Sequence, residues 1–201
     1  GQLSAVIDFH LVTKWKTAGD SILAAKLLAR PNSRNILILG AGTVAYSLRQ
    51  AYGDFFPDAH FSIWNRTSER AEKFAANFPD TVVVNDLEKA ISDADIISAA
   101  TMSREPLING KWLKPGQHVD LIGAYRPDMR EADDTTLKRS KIYVDSFETT
   151  IDHIGELKIP IASSAIKREA VISDFYDIEA FTRSSDDEIT LFKNGGGAHL
   201  D

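Results

Sequence analysis

An uninterrupted apolar run that ends in a glycine turn, Asn35 to Ala45 (NILILGAGTVA), constrains this chain more than any other stretch. Ile36, Leu37, Ile38 and Leu39 show no polar alternation, so the segment suits a strand covered on both faces, as in a parallel sheet. Gly40 permits a tight turn, Gly42 lets backbone approach a pyrophosphate, and Ala45 lets a helix pack closely on the strand. Together they give the G-x-G-x-x-A form of a dinucleotide site. The N–H groups opening the next helix, at Thr43 and Val44, would hold the anion. Glycine turns also follow strands for structural reasons alone, so context has to decide.

The context is an alternation of strands and helices. Ala18, Ile22, Ala25, Leu28 and Ala29 recur at helical spacing from Thr17, and Pro31 with Asn32 and Ser33 supplies a stop. After the glycines come a helix over Thr43 to Tyr52, a strand at Phe61, Ile63 and Trp64, a helix over Ser68 to Phe78 and a strand over Thr81 to Val84. A short helix over Asp86 to Ile91 precedes strands over Asp95 to Ala100, His118 to Ile122 and Ile142 to Val144. This order predicts an α/β fold, a Rossmann-type, doubly wound, mostly parallel sheet with right-handed crossovers. Leu3 to Val12 reads as a strand without a partner in that sheet, the remnant of a second domain. Beyond Glu148 the pattern loosens: Gly155 and Pro160 interrupt it, Ser173 to Ala180 is compatible with helix, and Ile189 to Phe192 with a last strand. The expected division is 1–32 as the end of a second domain and its linking helix, 33–147 as the nucleotide domain, and 148–201 as a segment completing the sheet.

The second strand ends at Asn65, about 20 residues beyond the glycines, where such folds read the adenosine ribose. A carboxylate there accepts from the ribose hydroxyls of NAD and repels a 2′-phosphate. Asn65, Arg66, Thr67 and Ser68 instead offer an amide, a guanidinium and hydroxyls, which favours NADP(H) over NAD(H). In the alternative, Arg66 is a solvated surface residue and Thr67 merely caps the following helix. Thr101, Met102 and Ser103 follow the fourth strand at the end where ligands bind, as cofactor contacts or as a polar turn. Gly195, Gly196 and Gly197 beside the last strand mark either backbone close to a ligand or a flexible turn.

Other functions are disfavoured. A formal net charge of −6 over 201 residues argues against a nucleic-acid or acidic-membrane surface. There is no cysteine for disulfides or thiolate chemistry. No apolar run approaches the ~20 residues of a membrane span, no signal-peptide pattern opens the chain, and a cytoplasmic location is the expectation. His10, His60, His118, His153 and His199 lack metal-like spacing, so no metal site is expected.

In their order along the whole chain, WKTAGDSILAAKLLARPNS, LILGAGTVA, ATMSREPLINGKWLKPGQHVDLIGAYRPDMRE, VDSFET and DDEITLFKNGGG resemble the ornithine cyclodeaminase/μ-crystallin family. The resemblance implies a second domain for dimerisation and substrate binding, a homodimer, and about the first hundred residues and a last helix absent here, so that this chain alone would bind coenzyme without turnover. It places at Lys16 and Thr17 the pair whose cation holds the substrate carboxylate beside the nicotinamide. It puts dinucleotide contacts on Thr43, Val44, Asn65, Thr101, Val119, Asp120, Leu121, Ile122 and Asn194, and a residue flanking the substrate at Gly195.

The chain departs from cyclodeaminases at Tyr125. In their G-x-D-x-P-G-K-x-E loop an Asp moves protons while ammonia leaves; here the loop reads GAYRPDMRE. A phenol is protonated near neutrality and can donate, but is no resting base. Branches without the Asp resemble ketimine reductases, which pass a hydride from NAD(P)H to a cyclic imino acid such as Δ1-pyrroline-2-carboxylate or Δ1-piperideine-2-carboxylate. Tyr125 would protonate the imine nitrogen or only wall the pocket. Two other functions stay open: ornithine cyclodeamination to proline and ammonia, and non-catalytic NADP-dependent binding of μ-crystallin type.

Overall fold

The structure is a computed structural model and describes residues 5, 6 and 8–197. Eight strands form one sheet: β1 (Asn35–Leu39), β2 (His60–Trp64), β3 (Thr81–Val83), β4 (Ile96–Ala99), β5 (His118–Leu121), β6 (Ser140–Val144), β7 (Val171–Ser173) and β8 (Ile189–Lys193). Their order is β3-β2-β1-β4-β5-β8-β6-β7. Every pairing among them is parallel, so the sheet is more uniform than the mostly parallel one expected.

The unbroken apolar run of β1 follows from its central place. Ile36 and Ile38 point to one face, where Ala18, Ile22 and Ala25 of α1 (Phe9–Leu28) and Leu48 and Tyr52 of α2 (Thr43–Phe55) cover them. Leu37 and Leu39 point to the other, into a cluster with Ile97, Val119, Leu121, Ile142, Val144 and Leu191. Full burial of one such side chain is worth about 1.5–3 kcal/mol. With both faces covered, no position in the run can be polar.

The first helix corrects one expectation. The sequence suggests a strand over Leu3 to Val12; residues 1–4 and Ile7 lie outside the described residues, as does His199, and from Phe9 the chain is helical. Asp8 caps the helix, its carboxylate accepting the Leu11 amide at 3.1 Å, a local signal that outweighs the loose alternation. The region after Glu148 is also more regular than expected. Phe147–Thr150 and Gly155–Ala162 are short helices, α6 and α7, following α5 (Asp134–Arg139), and Pro160 lies inside α7 rather than breaking it. Ser173–Ala180 is not one helix: β7 ends at Ser173, Asp174 accepts the Tyr176 amide at 3.1 Å, and a 3-10 turn covers Phe175–Ala180.

The order reverses beside β1: the chain moves outward through β2 and β3, with α3 (Ser68–Asn77) between them, then returns through α4 (Leu87–Asp93) to β4 on the other side. This switch point leaves a crevice beyond the carboxyl ends of β1 and β4, the place where open parallel sheets bind ligands. β8 fills the gap between β5 and β6 and brings Lys193, Asn194 and Gly195 to the same edge.

Candidate functional site

Two groups of residues meet along that edge. The first lines a cleft of ≈ 240 Å³ and contains Gly40, Gly42, Asn65, Arg66, Thr67, Thr101 and Met102, with Arg70 on its rim. A larger hollow of ≈ 690 Å³ starts at Asn35 and His60, the opposite ends of β1 and β2, where no switch point exists.

The two glycines of the turn have different causes. Gly40 has φ +98, and a Cβ on it would lie 2.6 Å from the Ala100 carbonyl oxygen, so the protein itself demands glycine there. A Cβ on Gly42 would meet no atom of the described residues within 4 Å. None of the described residues requires Gly42 to be bare, which leaves its place open to a ligand. It is also the N-cap of α2, where no side chain caps the helix, so the first-turn amides from Thr43 and Val44 onward are left for an anion.

Asn65, the expected ribose contact, is also a structural link. Its Oδ1 accepts the Ala41 amide at 3.2 Å and its Nδ2 donates to the Thr67 carbonyl at 2.8 Å, tying the glycine turn to the β2–α3 turn. Thr67 occupies the N-cap of α3 but its hydroxyl makes no capping bond, so capping does not account for it. Arg66 and Arg70 are exposed and have no ion pair among the described residues. A bare glycine, open helix amides and two guanidiniums without an ion pair among the described residues together fit a dinucleotide.

The second group gathers where α1 crosses the end of β8. The Thr17 hydroxyl donates to the Gly196 carbonyl at 3.2 Å; Asn194 Nδ2 donates to the Thr17 carbonyl and to Ser21 Oγ, both at 2.9 Å. The Gly195 amide donates to Asp145 Oδ2 at 2.7 Å, and Gly196 and Gly197 turn with positive φ, so this stretch is a held turn. The stem of Lys16 lies against Gly197, and its ammonium bears on Asp20, one helical turn along α1. Burial, then Asp145 and Asp120, push the Asp20 carboxyl up to about 7, against the pull of Lys16.

Several of the expected contact residues are buried. Val119, Asp120, Leu121 and Asn194 have no accessible surface, and Ile122 only 6%. Val119 and Leu121 belong to the core. Asp120 accepts from Ser98 Oγ at 2.8 Å and from Tyr52 and Ser21 at 3.1 Å, joining two helices to β4; its side chain is bound before any ligand arrives. Tyr125 is 56% exposed, so it does not fill core space, while Met102, 75% exposed, overhangs the cleft.

The residues that hold the two groups together, Glu131 and Lys193, are not among the site residues expected from the sequence. Buried Glu131 accepts from Thr101 N and Oγ1, both at 2.7 Å, through one oxygen. Through the other it accepts from Gly123 N at 2.7 Å and Ala124 N at 3.3 Å. Buried Lys193 donates to the carbonyls of Leu121 at 2.9 Å and Asn194 at 2.7 Å. Burial pushes the Lys193 ammonium down, and Glu131, Glu156, Asp145 and Asp120 around it hold it up. Charged residues are usually solvated, so their letters alone do not show the burial; the traces are Glu131 as the closing acid of GAYRPDMRE and a lysine closing the apolar run ITLF.

A parallel doubly wound sheet with a glycine turn and open helix amides at its switch point defines a Rossmann-type chain of the dinucleotide-binding class. Comparison with known sequences narrows the class. The chain belongs to the ornithine cyclodeaminase/mu-crystallin family, whose model matches residues 1–201. A delta(1)-pyrroline-2-carboxylate reductase of Paracoccus denitrificans is 53% identical over 209 residues, covering 100% of this chain and 66% of its own length. Ketimine reductase mu-crystallin of Mus musculus is 40% identical over 174 residues, covering 86% and 56%. The solved delta(1)-pyrroline-2-carboxylate reductase of Thermococcus litoralis, in complex with NADH and L-proline, matches with TM-score 0.86 at 30% identity, over 92% of this chain and 59% of that one. The chain thus spans between 56% and 66% of the length of these relatives.

Proposed function

We propose that the protein to which this chain belongs is an NAD(P)H-dependent reductase of cyclic imino acids of the Δ1-pyrroline-2-carboxylate or Δ1-piperideine-2-carboxylate type. One observation carries the reading: the loop after β5 bears an exposed tyrosine, Tyr125, where cyclodeaminases bear a proton-shuttling Asp, in a chain 53% identical to a pyrroline-2-carboxylate reductase. A reduced nicotinamide supplies the hydride. The residues here need only hold, orient and protonate, because a protonated imine is already electrophilic. Lys16 carries the charge that anchors the substrate carboxylate, Gly195 leaves room beside it, and Tyr125 is exposed and can donate to the ring nitrogen.

Arg66 and Arg70, without an ion pair among the described residues, and the Thr67 hydroxyl, which makes no capping bond, favour NADPH as coenzyme, with NADH accepted. Residues 33–147 form the nucleotide domain, 148–201 complete its sheet, and 1–32 lead from a substrate and dimerisation domain. We read the whole protein as a cytoplasmic homodimer that binds neither nucleic acid nor membrane; among the described residues no helix is long and apolar enough to cross a bilayer.

The test is a protein of full family length carrying these residues, given NADPH and either cyclic imino acid across a range of pH. Loss of the reduced-nicotinamide absorbance is expected. No oxidation with either substrate ends the reading, and ammonia release from ornithine without net coenzyme change would establish the cyclodeaminase instead. Titration of this chain with NADPH and NADH, beside Arg66→Asp, tests the coenzyme; equal affinities would remove the preference.

A further inference from the structure

Glu131 joins two loops through a single buried carboxylate. Thr101, on the loop after β4, lines the coenzyme cleft; Gly123 and Ala124 open the loop after β5 that carries Tyr125. The loops are in backbone contact: a Cβ on Gly123 would sit 1.8 Å from the Thr101 carbonyl oxygen and 2.6 Å from Glu131 Oε1. The carboxylate receives donors from both sides and offers none, which suits an ionised, acceptor-only group. It is itself held from below: the amides of Glu131 and Ala132 donate to Glu156 on α7 at 2.7 and 3.0 Å. The backbone carbonyl of Glu131 in turn accepts the Leu107 and Ile108 amides at 2.8 and 2.9 Å, closing the far side of the cleft loop.

We propose that Glu131 is a positioning residue that locks the coenzyme loop at Thr101 to the substrate loop at Tyr125, so that the cleft is formed before coenzyme arrives. The proposal rests on the coenzyme reading above. The charged groups facing Glu131 are Lys193 from β8, which favours its ionised form, and Glu156 from α7, which opposes it; the loops after β4 and β5 present amides and a hydroxyl. Burial, more than Glu156, pushes the Glu131 carboxyl up to about 7. Protonation would aim an O–H at a ring of donors and loosen one loop.

The experiment compares the wild-type chain with Glu131→Gln and Thr101→Val. Gln keeps the volume, but its amide N–H groups must face either Thr101 or Gly123. For Glu131→Gln, coenzyme affinity by fluorescence titration should fall about tenfold. Amide hydrogen exchange at Thr101, Gly123 and Ala124, measured without coenzyme, should become faster. NADH, which has no titrating phosphate monoester, gives the pH profile: wild-type affinity should weaken from about pH 8 to about pH 6, and the Gln variant should lose that dependence. Thr101→Val removes one donor without disturbing buried charge and should shift affinity and exchange the same way, by less.

A folded Glu131→Gln chain with wild-type affinity, pH profile and exchange would overturn the proposal. Should that variant not fold, unchanged affinity and exchange in Thr101→Val would overturn it equally. A wild-type chain that binds neither coenzyme would fail the functional reading, whereas the exchange measurements would still decide the lock.

Discussion

Asn65 and Ala41 are joined across the mouth of the cleft, the side-chain oxygen of one accepting the backbone amide of the other at 3.2 Å. The same side chain donates to the Thr67 carbonyl at 2.8 Å. Replacing Asn65 by aspartate would keep the first bond, turn the second into a repulsion between oxygens, and set a negative charge beside Arg66. Asn65→Asp should therefore weaken NADPH binding by more than about tenfold and NADH binding by clearly less. Fluorescence titration with both coenzymes checks this; an equal loss for the two would mean that the position has no part in their discrimination.

Gly40 and Gly42 should separate stability from binding. Gly40→Ala forces a Cβ against the Ala100 carbonyl at a positive φ and should lower the melting temperature, with a cost of about 1–3 kcal/mol. Gly42→Ser meets open space and supplies the missing cap of α2, so its melting temperature should hold or rise while coenzyme affinity falls. A Gly42→Ser variant that binds as tightly as the parent would show that no ligand backbone passes there.

Lys193 is the cation among buried carboxylates. Lys193→Met leaves Glu131, Glu156, Asp145 and Asp120 without it and frees two carbonyls, and should cost about 3–5 kcal/mol in chemical denaturation at neutral pH. The loss should shrink in acid as the carboxyls protonate. A loss that grew as pH fell would contradict the electrostatic origin.

Burial, the first cause in each case, pushes Asp20 and Glu131 up to about 7 and Asp120 up to about 6. Between the unfolded value of about 4 and these values the folded chain holds protons that the unfolded chain has released. The contribution of these three carboxyls should thus be greatest on the acid side of this window and fall as pH rises through 6 to 7; buried His118, its imidazole pushed down to about 3 by burial, opposes this below about pH 6.5 but is one group against three. Thermal unfolding from about pH 5 to about pH 8 should show a falling melting temperature, and Asp20→Asn should flatten the slope. A melting temperature that rose with pH would reverse the assignment.

How much of the molecule is legible beforehand varies with the range of the interactions. The strands β1 and β4 can be read because burial on both faces writes itself as apolar runs, and β2 because Phe61 and Ile63 alternate with less buried positions. The short helices α5, α6 and α7 cannot, since a helix of one or two turns shows too little period to stand out from a loop. The helical start at Phe9 has a local sign in Asp8, whose spacing to Leu11 is a capping signal. Among candidate site residues, Gly40, Gly42, Asn65, Arg66, Thr67, Thr101 and Met102 converge on one cleft. Asp120 is expected as a coenzyme contact from its place on a strand end, visible in sequence, while its three buried hydrogen-bond partners are visible only in the structure.

The sequence by itself determined the parallel sheet, the glycine turn and the family, all of which depend on neighbours within a few residues or on an ordered series of motifs. Only the tertiary structure decided that Glu131, Glu156, Asp145 and Lys193 are buried together, and that a side chain on Gly42 would meet none of the described residues. Whether a charge is solvated or enclosed is set by the elements that fold over it, here strands and helices far apart in the chain, and no local pattern records that enclosure.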